Sequence, residues 1–180
     1  MTRRLIAIAL VVVLGPVAAP HLSAQQCTAT GANATCSLNA TTSITVPTLL
    51  RLTVGAAASP FGSITSTNYD DGYSRIPGPA VTVKANQTWQ VQISSTAAFW
   101  TAVTTDPLNP ARATKPRSDL LWATTLNGSY SAVSGTGATV GSGAGTAGTV
   151  VPFYLQSNWD YALDTPGNYS IVVTFTLVSP

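Results

Sequence analysis

Tyr169-Ser170-Ile171-Val172-Val173-Thr174-Phe175-Thr176-Leu177-Val178 decides how this chain folds. Tyr169, Ile171, Val173, Phe175 and Leu177 share one face. Ser170, Val172, Thr174, Thr176 and Val178 share the other. Side chains on a strand alternate between faces, so a period of two with one apolar set predicts a strand half buried against a core.

The same period recurs upstream. Ser43–Val54 carries Ile44, Val46, Leu50, Leu52 and Val54 at even positions and predicts a long strand, with Pro47 as an edge or bend. Val81 and Val83 alternate with Thr82 and Lys84. Trp89, Val91 and Ile93 alternate with Gln90, Gln92 and Ser94. Val150–Gln156 reads as a further strand. Leu120–Leu126, Asn127-Gly128 and Ser129–Val133 read as a hairpin with a two-residue type I′ turn. That turn sets Leu126 opposite Ser129 and Trp122 opposite Val133. Past residue 24 no stretch sustains a period of 3.6. Short strands separated by turn residues predict an all-β, immunoglobulin-like antiparallel β-sandwich. A membrane barrel needs apolar lipid-facing stripes, and here the second faces are Thr, Gln and Ser.

The beginning of the chain reads as a leader. Arg3 and Arg4 precede an apolar run, Leu5–Leu14, and a small-residue stretch, Ala18–Ala24. That order predicts a signal peptide cleaved after Ala24, or else after Ala19. The expected organisation is residues 1–24 as leader, 25–42 as a polar segment and 43–180 as the sandwich. Cys27 stands two residues too far from the cleavage site for a lipid anchor. With an oxidising compartment implied, Cys27 and Cys36 are expected to pair and close a small hairpin.

Losing the leader changes the composition. The whole chain has a net charge of +2, one His, one Met and no Glu. Arg3, Arg4, His21 and Met1 depart together, leaving a neutral domain without imidazole. Ser–His and Cys–His nucleophiles and His-based metal sites are then excluded. General acid–base chemistry falls to Asp, Lys or Tyr. The expectation is no enzyme, no cofactor and no metal. A neutral surface also gives no electrostatic grip on nucleic acid. No membrane span is expected once the leader is gone.

Four motifs remain. Gly143-x-Gly145-x-x-Gly148 matches a dinucleotide fingerprint, but it sits in a Gly/Ser/Thr/Ala run, Ser134–Thr149, with no helix signal after it. It reads as a flexible loop. Asn68-Tyr69-Asp70-Asp71-Gly72-Tyr73 reads as a β-turn, with calcium at Asp70 and Asp71 as the functional alternative. Arg112, Lys115 and Arg117 form a basic loop among Pro107, Pro110 and Pro116, either a solvated connection or a site for an acidic surface. Asn158, Trp159, Asp160 and Tyr161 are the candidate ligand site. Sugar rings stack on aromatic faces while Asn and Asp bind hydroxyls, and the alternative is a Trp closing one end of the sandwich. Five glycosylation sequons begin at Asn33, Asn39, Asn86, Asn127 and Asn168.

Asp164-Thr165-Pro166-Gly167-Asn168-Tyr169, leading into the alternating strand 170–177, resembles the end of bacterial secreted fimbrial-type and spore-coat-protein-U-like sandwich domains. The resemblance covers mainly the last third of the chain, and the Val81–Ser95 pair with Trp89 fits such a core. It implies a cell-surface structural or adhesive, pilin-like role, with other surface subunits as partners. The alternative is a carbohydrate-binding module with a glycan as partner. Two features depart from the family. Its cysteines are usually further apart, and it usually carries an alternating apolar N-terminal donor strand. Gln25–Thr42 is polar apart from Leu38, so the last strand is expected to complete the domain's own sheet.

Overall fold

A computed structural model describes residues 26–56 and 58–180. The leader and its cleavage site lie outside the described residues. The chain divides into a unit ending at Thr45 and a compact unit, Val46–Pro180.

In the first unit Cys27 and Cys36 form a disulfide, with Cα atoms 5.9 Å apart. Gly31 (φ 109°) and Asn33 (φ 64°) turn the loop through the left-handed region, and Ala34 N–H donates to Gly31 C=O. The pairing is as expected, but the turn carries no ladder. Every described residue here is exposed.

The compact unit holds twelve strands. They are β1 (Leu50–Val54), β2 (Tyr73–Pro77), β3 (Val81–Ala85), β4 (Trp89–Ser94), β5 (Thr101–Thr104), β6 (Leu120–Ala123), β7 (Ser131–Ala132), β8 (Ala138–Gly143), β9 (Thr146–Val151), β10 (Tyr154–Asn158), β11 (Gly167–Ser170) and β12 (Thr174–Val178). All ladders are antiparallel.

Two layers follow from the pairing. In one, β1-β3-β9 runs on into β2-β10-β6-β7, because β2 leads into β3 and β9 into β10. Both passages break at the same level, at Gly78-Pro79-Ala80 and at Pro152-Phe153. Proline cannot donate to a ladder, so the sheet bends there. Gly78 N–H donates to Phe153 C=O at 2.9 Å and stitches the bend. The other layer holds β12-β4-β8 and β11-β5. The last strand is interrupted at residues 171–173, where it passes from one pairing to the other.

The core lies between the layers. Val81, Val83 and Ala85 face inward from β3, and Trp89, Val91 and Ile93 from β4. Phe153 meets Phe175 with ring centroids 5.2 Å apart. The face Tyr169–Leu177 packs on this core but stays half-buried throughout.

Four local expectations are corrected. The strand expected over 43–54 is confined to Leu50–Val54. Before it, Asn86 takes the backbone's hydrogen bonds: its Oδ1 accepts from Leu49 N–H (2.9 Å) and its Nδ2 donates to Pro47 C=O (2.7 Å). Ile44 and Val46, expected inside, are 88% and 69% exposed.

The Asn127-Gly128 hairpin takes another register. Leu121 pairs with Ala132 and Trp122 with Ser131, not Val133. Neither Asn127 nor Gly128 has a positive φ, so the turn is not type I′. Val133 N–H instead donates to Leu120 C=O at 2.8 Å, and both side chains are buried. Burying that pair outweighs the local turn preference.

The glycine-rich run is not a flexible loop but β8 and β9. Its small residues let strands lie close to large side chains. A Cβ on Gly143 would sit 2.9 Å from Trp89 Cζ2, and one on Gly141 would sit 2.7 Å from Val151 Cγ1.

The Asp70-Asp71 turn is the end of a short helix, α1 (Ser66–Asp71). Thr65 and Asn68 cap its start reciprocally, and Gly72 (φ 78°) ends it in the left-handed region.

Candidate functional site

One end of the sandwich gathers most of the charged side chains singled out above. It is built from the loop between β5 and β6, the loop between β10 and β11, and α1. The corner before β11 fixes its geometry. Tyr169 donates its hydroxyl to Thr165 C=O, four residues back, at 2.7 Å, and accepts from Arg112 N–H at 2.9 Å. This is the tyrosine corner of immunoglobulin-like sandwiches. It pins the two loops together.

Asp164 sits inside that corner, its side chain 1% exposed. Its Oδ2 accepts from Asp160 N–H (3.0 Å) and from Lys115 Nζ (2.9 Å). Its Oδ1 accepts from Arg112 Nη1 at 3.1 Å. Lys115 is fully buried. Its ammonium has three protons and finds three acceptors: Asp164 Oδ2, Asn158 C=O (2.6 Å) and Asp119 Oδ2 (3.3 Å). The Trp159 ring lies beneath the ammonium, 4.2 Å from Nζ to centroid, a cation–π contact. Arg112 also approaches Asp119, at 3.7 Å. Two cations thus meet two carboxylates.

The basic loop is therefore not a basic surface. Lys115 and Arg112 turn inward onto Asp164 and Asp119. Arg117 Nη1 donates to Ser95 C=O (2.9 Å) and Ala97 C=O (3.2 Å). Three cations spaced among prolines looked solvated because sequence does not show which loop end they meet.

The four ligand-site candidates divide. Asn158, Trp159 and Asp160 line an open depression of about 350 Å³ together with Arg112, Asp119 and Asp164. Trp159 is half-buried and engaged on several sides. Tyr69 and Tyr169 meet it edge-on at 6.2 and 5.6 Å, Lys115 covers a face, and its Nε1 donates to Ser157 Oγ at 2.8 Å. Asp160 caps its own turn by accepting from Ala162 N–H at 2.7 Å. Tyr161 stands apart from the depression. It is 65% exposed, stacks on Tyr69 at 4.6 Å, and donates to Asp70 Oδ1 at 3.2 Å. Burial, and next the charge of Asp164, raise the Tyr69 phenol above its ordinary pKa.

Asp164, Asp119 and Tyr69 are the members of this end that sequence reasoning did not single out as site residues. Asp164 opens the Pro-Gly-x-Tyr corner, which is the signal that points to it. Among the described residues no group of three or more His, Cys, Asp or Glu is placed to hold a metal.

A second feature lies along one side of the sandwich. β1 and β12 are each the edge strand of their sheet. They come within 8 Å of each other, Cα to Cα, yet no ladder joins them among the described residues. Leu50 and Val54 of β1 are 37% and 39% exposed, and Phe175 and Leu177 of β12 are half-buried. A separate depression of about 360 Å³, lined by Leu49, Leu50, Arg51, Lys84, Ala85, Asn86 and Thr146, lies on the other side of β1, where it pairs with β3. Among the described residues the last strand pairs with β4 alone and so forms one edge of its sheet.

No family model and no curated protein matches the chain. Among solved structures, a chain from a chaperone-usher pilus structure aligns over 80% of this chain and 93% of its own length, with a TM-score of 0.43 and 12% identity.

Proposed function

We propose that this chain is a secreted, non-catalytic structural subunit of a cell-surface assembly, joined to further copies by strand addition. The carrying observation is the open side between β1 and β12. Each is an unpaired edge beside partly exposed apolar side chains, and because the two lie too close to admit a strand between them, an added strand pairs with one edge or the other. The occupant is residues 43–46 of a neighbouring copy, the stretch that precedes the Asn86 bonds to Pro47 and Leu49. That segment alternates, exposes Ile44 and Val46, and forms no strand in its own chain. The Cys27–Cys36 disulfide suits an extracellular or periplasmic setting. The reading rests on these edges, not on the likeness to a pilus chain.

Size-exclusion chromatography and negative-stain images of the purified protein test this. Concentration-dependent oligomers or fibres are expected, and a strictly monomeric species at every concentration would sink the proposal. At the candidate site the glycan alternative keeps Tyr161, 65% exposed with one face stacked on Tyr69, as its exposed ring, since Lys115 and two tyrosines occupy Trp159. A glycan array without signal removes that alternative.

A further inference from the structure

We propose that Lys115 and Asp164 are joined by an intramolecular amide bond that the folded protein forms itself. Lys115 Nζ lies 2.9 Å from Asp164 Oδ2, with the two side chains 0% and 1% exposed. From that oxygen the carboxyl carbon is one C–O bond away. Taking two ions out of water is costly, and their attraction repays it only with good geometry. Condensation removes both charges at once and releases one water. Because the fold holds the two groups together, the reaction is unimolecular, and such positioning can replace much of a barrier.

The groups the chemistry requires are in place. A proton passes from the Lys115 ammonium to the Asp164 carboxylate, giving a neutral amine and a carboxylic acid. The Nζ lone pair attacks Cγ of Asp164 and a C–N bond forms. The negative charge of the tetrahedral intermediate falls on Oδ1, where Arg112 Nη1 stands at 3.1 Å. Asp119 Oδ2, 3.3 Å from Nζ, takes the amine proton and hands it to Oδ2. The C–Oδ2 bond breaks and Oδ2 leaves as water. Ammonium plus carboxylate becomes amide plus water, so atoms and charge balance and no oxidant or co-reactant is needed. The rings of Trp159, at 4.2 Å, and Trp100, at 6.0 Å, cover the ammonium and keep bulk water from the pair. The bond spans 49 residues and locks the loop before β6 to the corner before β11. It is independent of strand addition.

Intact-mass spectrometry of the folded protein, with Cys27–Cys36 reduced, tests the proposal. The expected mass is one water below that of the linear sequence. Tandem spectra of a digest are expected to show the Lys115 peptide linked to the Asp164 peptide. Lys115→Arg should restore the full mass. Should that variant fail to fold, Asp119→Asn keeps both partners and should accumulate unlinked protein. An unmodified mass in folded protein overturns the proposal. So does a water loss traced to Asp71-Gly72, a sequence that dehydrates on its own backbone, or a link from Lys115 to Asp119. Undiminished linkage in Asp119→Asn overturns the relay assigned to Asp119.

Discussion

Tyr169 shows how much one hydroxyl holds. It donates to Thr165 and accepts from Arg112, so it ties its own corner to the opposite loop. Tyr169→Phe leaves Arg112 N–H without that acceptor and should cost about 1–3 kcal/mol, read from urea unfolding midpoints. Tyr69 supplies a pH signature. Its folded pKa is raised, so the folded state holds that proton more tightly than the unfolded one. Its contribution is intact below the unfolded value, about 10, and declines as pH rises through the folded value. Denaturation followed across that alkaline range should show stability falling, with a smaller fall in Tyr69→Phe. The corner was legible as a turn, because Pro-Gly precedes an alternating strand. The inward path of Lys115 was not. Its three acceptors come from 4 to 49 residues away, on loops whose meeting only the fold decides.

Among elements, the strands that sequence placed best are those with strict alternation and a wholly buried face, β3 and β4. Elements whose pairing depends on distant neighbours were misread. The glycines of β8 and β9 looked featureless because their role is to be small beside Trp89 and Val151. Gly143→Ala should therefore cost about 1–3 kcal/mol through overpacking and alter the near-ultraviolet dichroism of Trp89. Gly148→Ala is the control. Its Cβ would stand 3.8 Å from Lys84 Cε, an ordinary contact, and φ there is not positive. Its melting temperature should hold or rise slightly. The Asn127-Gly128 case teaches the converse: a strong local turn signal yields when another register buries Leu120 against Val133.

For the whole molecule, the sandwich was legible from the period of two, while its open side was not. Ser43–Val54 reads as one strand, yet only its second half pairs at home. Replacing both Ile44 and Val46 with Asp separates folding from assembly. Both residues are exposed, so monomer stability should stay within about 0.5 kcal/mol. Oligomers in size-exclusion chromatography should fall sharply. Unchanged assembly would exclude residues 43–46 as the linking strand.

The pairing of distant strands also governs the order in which this protein can fold. β3 waits for β9, with Val81 opposite Val151, and β4 waits for β12, with Gln90 opposite Val178. Among the described strands only β6 and β7 pair across a short connection. A chain delivered from its N-terminal end exposes Val81–Ile93 long before Thr174–Val178 arrives to cover it. Such non-local topologies fold in about milliseconds to seconds. For that interval the nascent chain is an aggregation hazard, and its safe delivery depends on how quickly its last strand follows its fourth.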